Sequence, residues 1–265
     1  YAGDEAGQVE AAFHSATAAQ DLAPAQVVVV RDGPVPPGLA AVLGRLAAGE
    51  GVTLVALATN VGLARALNAG LAASRFDVVA RQDADDVSAP SRFRLTVPMV
   101  ASGRFDLVGS AVREFSADAD GSVTYGAVRR YPLTGPEIRR RAKWMNPLAH
   151  PAVVLRRSQV LAAGGYRDLF HLEDYDLWVR LFEAGARAAN RPEPLVDYRV
   201  SAAGRRRRGG LRTLRAERAL QRAMVGSGFI NRAEWLRNLV LRGGLELAPP
   251  GALGWALRQV WRRPG

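Results

Sequence analysis

Three carboxylates stand within four residues in Val78-Val79-Ala80-Arg81-Gln82-Asp83-Ala84-Asp85-Asp86, directly after an apolar run. Crowded like this they repel one another unless a cation is present, and the carboxyl end of a buried parallel strand is where ligands bind in open α/β sheets. Hard oxygen donors favour Mg²⁺ or Mn²⁺ shared with a phosphate group. The competing reading is an acidic strand-to-helix turn in which Asp86 or Ser88 caps the next helix. A second cluster, Glu173-Asp174-Tyr175-Asp176-Leu177-Trp178, offers a general base if its surroundings are dry enough to lift a carboxyl pKa. Acids in the first turn of a helix are also simply favoured by its dipole. Asp174 shares a helical face with Leu177 and Trp178, which sets a carboxylate beside an aromatic wall. In the segment 60–71, Asn60 can cap a helix and Arg65 can face a diphosphate, or Arg65 is an ordinary surface arginine. His14, His150 and His171 are too scattered for a zinc motif.

The elements that must position these groups follow from periodicity. Apolar β-branched runs at 26–30, 52–58 and 77–80 read as buried strands, the first stopped by Asp32-Gly33-Pro34. Leu63, Ala66, Leu67, Gly70 and Leu71 recur at helical spacing between the second and third, so the pattern is that of a parallel sheet. A helix at 8–19 ahead of the 26–30 strand implies that a first strand precedes Tyr1. Without that strand its two neighbours expose their edges, so poor solubility is expected. Further along come a helix at 90–101, a strand at 106–115, a turn at 116–122, a strand at 151–155, a helix at 173–184 and a strand at 195–200. A break at 201–208 divides a domain of residues 1–200 from a tail of 201–265 with amphipathic pieces near 211–225, 235–241 and 253–261.

Charge follows the same division. The 265 residues hold 36 basic and 25 acidic side chains, a net charge of +11, and no cysteine, which excludes thiol chemistry and Cys-ligated zinc. Residues 1–200 balance 22 basic against 22 acidic groups, whereas the tail carries fourteen arginines and three glutamates, the whole of the excess. With 48% hydrophobic residues the chain can bury a sizeable core, and no uncharged run of ~18 apolar residues spans a membrane. The chain starts at Tyr1 with no initiator methionine and no signal pattern, and is read as a fragment or processed chain of cytoplasmic location.

Six motifs stand in a telling order: Asp32-Gly33; Asn60-x-Gly62 with Ala66-Leu67-Asn68-x-Gly70-Leu71; Asp83-x-Asp85-Asp86 with Pro90-x-Arg92; Asn146-Pro147-x-x-His150-Pro151; Gly164-Gly165-Tyr166; and Glu173-Asp174-Tyr175-Asp176-Leu177-Trp178. In this order the sequence resembles the family-2 glycosyltransferases over residues 1–200, above all bacterial enzymes that build exopolysaccharide or cell-surface glycans, of the amylovoran-biosynthesis type. The resemblance implies a GT-A fold, a Rossmann-like, mostly parallel sheet with flanking helices, here followed by a helical tail. It further implies transfer from a nucleoside-diphosphate sugar, UDP-linked by expectation, to a glycan or lipid-linked acceptor with inversion. Tyr1 and Asp32 would lie near the base, Arg65 near the base or diphosphate, and Asp83 near the ribose. Asp85, with Asp83, would hold Mn²⁺ or Mg²⁺. Asp174 would be the general base, supported by Glu173, and His150 and Trp178 would line the acceptor or donor-sugar side.

Three other readings compete. Asp83 and Asp85 also fit an aspartyl-nucleophile phosphohydrolase, which needs a downstream lysine, and the only lysine is Lys143. A sugar nucleotidyltransferase would need a Gly-rich, Lys-containing signature near the start, and none is seen. The tail, with Arg205–Arg208, could bind nucleic acid non-specifically, but it lacks interleaved recognition aromatics and no specific nucleic-acid partner is expected. The favoured reading of the tail is an interfacial one: Trp235, Trp255 and Trp261 among Arg258, Arg262 and Arg263 suit the anionic inner face of the plasma membrane.

Overall fold

The computed structural model describes residues 1–118, 122–200 and 211–247. The tip of the 116–122 turn, with Asp120 and Gly121, the run Arg205–Arg208, and the piece at 253–261 with its neighbouring Trp and Arg residues lie outside the described residues.

The first half alternates as the periodicity predicts. Helix α1 (Ala6–Ser15) leads to β1 (Val27–Asp32), α2 (Pro37–Ala47), β2 (Val52–Leu57) and α3 (Leu63–Ala73). Pro37 opens α2 at a position where its missing N–H costs nothing, and α2 carries the chain back so that β1 and β2 pair in parallel, Val27 with Val52 through Asp32 with Leu57. A short β3 (Val78–Ala80) follows, then β4 (Val87–Ser88) and α4 (Arg92–Ala101).

The second half is built on β5 (Leu107–Ala117). After it come β6 (Val123–Arg129), α5 (Gly135–Ala142), a 3₁₀ turn at His150–Ala152, β7 (Val154–Arg156), α6 (Arg157–Ala162), α7 (Glu173–Glu183) and β8 (Ala188–Arg199). The strand order is β3-β7-β5-β8-β4, with β6 added to β5. Strand β7 pairs with the first residues of β5, and β6 takes over from Val112. The fold is α/β as expected, but the sheet is mixed. The pairs β1–β2 and β5–β8 are parallel, while β3–β7, β5–β7, β5–β6 and β4–β8 are antiparallel. For β5 and β6 the reason is connectivity: five residues separate them, too few for the crossover that a parallel neighbour needs. Strands β1 and β3 belong to different sheets, and among the described residues no strand joins them.

One main core lies beneath α7. Trp178, Leu177 and Leu181 pack there with Ile138 of α5, Leu155 of β7 and Leu107 of β5. The last two described helices, α8 (Leu211–Gly226) and α9 (Arg232–Leu247), are joined to this core through Leu220, Met224, Phe229 and Ile230. Residues on both sides of the 201–210 segment therefore share one hydrophobic interior.

Candidate active site

The loop between β3 and β4 carries the first acidic cluster. One carboxylate oxygen from each of Asp83, Asp85 and Asp86 lies within 4.8 Å of the others. The loop is tied from several sides. Gln82 Nε2 donates to the Asp86 carbonyl at 2.8 Å, the Arg199 backbone N–H donates to Asp86 Oδ1 at 2.7 Å, and Arg199 Nε donates to the Asp85 carbonyl at 2.9 Å. Beneath it Arg92, wholly buried, donates to Gln82 Oε1, Ser88 Oγ and the Arg81 carbonyl. Neither Asp86 nor Ser88 caps α4, which begins after Ser91 with no side-chain cap.

Burial and mutual repulsion act on these groups as expected. Asp86 is pushed up to about 8 by burial first and by the charges of Asp83 and Asp85 next. Asp85 is also raised, by burial and then by Asp83 and Asp4. Asp86 Oδ2 is buried with no hydrogen-bond partner. A compact set of three hard oxygen donors, one of them left without a proton donor, fits a divalent cation. The sequence sets all three carboxylates around a cation and the resemblance names Asp83 and Asp85 as its holders; Asp86 stands in the same cluster.

The second cluster opens α7. Glu173 and Asp174 are both buried, and Glu173 is pushed up to about 7, chiefly by burial. Asp174 is raised as well by burial, held back by hydrogen bonds from Asn146 Nδ2 to Oδ2 at 2.7 Å and from Tyr175 N–H to Oδ1 at 2.7 Å. Asp176 is spent on structure: it pairs with Arg180, whose guanidinium also donates to the Gly165 carbonyl.

Arg81 joins the two clusters. It is buried at the end of β3 and grips Asp83, with Nη1 donating to Oδ2 at 2.6 Å, and its charge also acts on Glu173, Asp174, Tyr166 and His150. His150 Nε2 lies 3.0 Å from the Tyr166 hydroxyl, and burial drives its pKa well below the usual value, so the ring is neutral. Tyr166 is placed by the Gly164-Gly165 turn. Gly165 has φ of +69°, a Cβ there would lie 2.6 Å from Asn68 Oδ1, and Asn68 clamps the backbone N–H and carbonyl of Tyr166.

The remaining sequence candidates fall in different places. Trp178 backs His150 edge-on at 5.9 Å between ring centroids, but it is 0% exposed and offers no surface to a ligand in this structure. Asp32 spends both carboxylate oxygens on the β2–α3 connection, accepting from Val61 N–H at 2.7 Å and Gly62 N–H at 3.1 Å. Asn60 does not cap α3, whose N-cap is Gly62. Arg65 is exposed on α3, and no ion pair holds it among the described residues. Tyr1 is 45% exposed in a short segment whose Asp4 acts on Asp85. Lys143 pairs with Glu234 of α9 at 2.7 Å, so the lysine that a phosphohydrolase would need is engaged elsewhere. Sequence reasoning also passed over Arg81, Asn146 and Tyr166 as site residues, although all three lie inside or beside the quoted motifs.

Comparison with known proteins bears on the family and the fold. The family model for glycosyl transferase family 2 matches residues 4–164. An amylovoran biosynthesis glycosyltransferase, AmsE of Erwinia amylovora, is 37% identical over 215 residues, covering 80% of this chain and 79% of that protein. The UDP-Gal:alpha-D-GlcNAc-diphosphoundecaprenol beta-1,3-galactosyltransferase of Escherichia coli is 29% identical over 243 residues, 91% of this chain and 87% of that protein. Among solved structures, the mannosyltransferase PcManGT of Pyrobaculum calidifontis, in complex with GDP-Man and Mn²⁺, has the same fold. Its TM-score is 0.58 at 20% identity, with 97% of this chain and 77% of that one covered.

Proposed function

The chain belongs to glycosyltransferase family 2, and on that premise we propose that it moves a sugar from a nucleoside-diphosphate donor to a hydroxyl of a glycan or lipid-linked glycan, with inversion at the anomeric carbon. A UDP-sugar is the donor we favour, since the Escherichia coli relative is named for UDP-Gal. The observation that carries the mechanism is the convergence of two acidic clusters on Arg81. Asp85, with Asp83 and Asp86, would hold Mn²⁺ or Mg²⁺, which when bound stabilises charge on the diphosphate leaving group. Arg81 grips the Asp83 carboxylate and holds it in place. Asp174 takes the proton from the acceptor hydroxyl as that oxygen attacks, while Glu173 stands beside it in the same desolvated pocket. No side chain is called on as a nucleophile, so one displacement inverts the configuration. His150, bonded to Tyr166 and kept uncharged by burial, lies within reach of the Arg81 charge that both carboxylate sets share. We keep Tyr1, Asp32 and Arg65 on the nucleotide side, where the end of β1 meets the start of α3. Trp178 supports His150 from behind.

The acceptor side of the proposal includes the membrane. Among the described residues no helix is long and apolar enough to cross one. Helices α8 and α9 enclose a cleft of about 250 Å³ lined by Arg218, Arg222, Trp235 and Leu239, and Leu236 and Val240 stand exposed beside it at 59% and 66%. Guanidinium groups next to an exposed apolar pair and a tryptophan match the inner leaflet, where a lipid-linked acceptor would present its sugar.

The test is nucleoside diphosphate release from UDP-galactose, UDP-N-acetylglucosamine and GDP-mannose with Mn²⁺ or Mg²⁺, comparing wild type with Asp85→Ala and Asp174→Asn. Both variants are expected to lose at least ~100-fold, the scale of a lost charge stabiliser or general base. Full activity in both overturns the assignment.

A further inference from the structure

We infer that Asn146 is a positioning residue for the transfer reaction: its side-chain amide fixes the Asp174 carboxylate and stabilises its charged form. The inference rests on the reading of Asp174 as the base. Asn146 precedes the buried stretch 147–150 in the loop between α5 and β7. Its Oδ1 accepts from the Leu148 N–H at 3.3 Å, which settles which way the amide faces and leaves Nδ2 directed at Asp174 Oδ2, 2.7 Å away.

The loop that carries it is pinned. Asn190 of β8 donates to the Pro147 carbonyl at 3.2 Å and to the Pro132 carbonyl at 2.7 Å, and Leu148 is buried in the main core. The receiving side is pinned too, because the Tyr175 hydroxyl donates to the Ala142 carbonyl at 2.7 Å and holds the first turn of α7. The bond between loop and helix therefore joins two fixed parts.

A purely structural account is available for half of this side chain. The Oδ1 contact is the turn that asparagine and aspartate both form with the residue two places on. Aspartate would serve that turn equally well. Only asparagine adds a donor, and that donor meets a carboxylate. The other groups that act on Asp174 are Arg81 from the end of β3, Glu173 from its own helix, Tyr131 from the segment before α5 and Tyr166 from the loop before α7. Of these Arg81 favours the charged form, and it is already committed to Asp83. Among the described residues Asn146 is the side chain that donates to the Asp174 oxygens, beside the backbone N–H groups of Tyr175 and of Asp174 itself.

The discriminating variant is Asn146→Asp, which keeps the turn, removes the donor and sets a second carboxylate against the first. In metal-free protein labelled with ¹³C at aspartate carboxyl carbons, the Asp174 signal is the one absent from Asp174→Asn. Its pKa is expected to rise by about one to two units in Asn146→Asp, the worth of a hydrogen bond to a charged group. With UDP-galactose and Mn²⁺, the acid limb of the pH profile for UDP release should move by the same amount, with donor KM changed less than about twofold. Asn146→Ala removes the donor without adding charge and moves the signal in the same direction by less, which keeps the test open if Asn146→Asp does not fold. An unmoved Asp174 signal, or an activity loss equal at every pH, overturns the inference. If wild type releases no UDP while the signal moves as expected, what falls is the base reading and not the bond.

Discussion

Gly109→Ala should disturb the loop that carries Asn146, through Asn190. Gly109 of β5 lies opposite Asn190 of β8 in parallel register, and a methyl group there would sit 2.2 Å from Asn190 Oδ1 and 3.1 Å from Leu148 Cδ2. The first distance is impossible, so the Asn190 amide, only 5% exposed, must leave its place. Its bonds to the carbonyls of Pro132 and Pro147 go with it. Each buried carbonyl left without a donor costs about 1–3 kcal/mol, so the pair sets a loss of about 3 kcal/mol, a large share of the ~5–15 kcal/mol that holds a domain together. Urea denaturation reads it directly: the midpoint should fall by about 1 M at an unchanged slope near ~3 kcal/mol/M. Asn190→Ala supplies the control, because it removes the same bonds and vacates the space. Added to Asn190→Ala, Gly109→Ala should cost less than ~1 kcal/mol, a failure of additivity that identifies one shared cause. A loss below ~0.5 kcal/mol for Gly109→Ala alone, or full additivity in the double variant, would refute the reasoning.

Two further outcomes follow from charge. Burial lifts Glu173 from 4.5 to about 7, so the folded metal-free protein holds this proton more tightly than the unfolded chain. Its contribution to stability is therefore lost as pH rises from about 4.5 to 7, and the penalty above pH 7 reaches about 3 kcal/mol. Glu173→Gln should flatten that decline in chemical denaturation between pH 5 and 8, and a curve parallel to wild type would contradict it. At the membrane face, Arg218→Glu with Arg222→Glu should lower co-sedimentation with vesicles containing anionic phospholipid several-fold and leave UDP release in solution unchanged, whereas equal sedimentation on neutral and anionic vesicles would remove the proposed contact.

The strands that carry chemistry were legible because each is a short apolar run ended by polar residues, and β1, β2 and β3 fall where the periodicity places them. Other elements were hidden for identifiable reasons. Strand β8 runs from Ala188 to Arg199, although only 195–200 reads as a strand, because Pro192 and Pro194 argue against it. The register shift against β5 falls around Pro194, where the ladder does not require the missing N–H. Helix α5 is nearly all polar and buries only Ile138, Arg141 and Ala142, yet its Thr134 to Glu137 capping box was there to be read. Arg180 and Asp197 look like ordinary surface charges in sequence, and one proves to brace the Gly164-Gly165 turn while the other pairs with Arg113. The small-residue stretch 201–204 and the arginine run after it mark a boundary in sequence, but composition there reports on exposure alone. Leu220 and Met224 beyond it are as buried as Trp178 before it.

What no local reading supplies is the approach of the two acidic clusters, and the strand order explains it. Strands β3 and β4 stand at opposite ends of the path β3-β7-β5-β8-β4, four strand spacings or ~19 Å apart in a flat sheet. The connection from Ala80 to Val87 would have to be nearly extended to bridge that distance, since seven steps reach at most ~24 Å. It instead contains a turn at Ala84 and Asp85 and gathers its three carboxylates within 4.8 Å. The sheet must therefore curl until its two edges approach. The irregularities that permit this lie in β5, where the register against β8 shifts around Ala111 and the register against β6 shifts between Arg113 and Phe115. The antiparallel register of β4 on β8, with Val87 opposite Asp197, continues so as to set Arg199 over the loop, where it binds Asp85 and Asp86. Curling leaves Arg81 acting on both Asp83 and the two carboxylates of α7, so that two separate sequence motifs meet at one side chain.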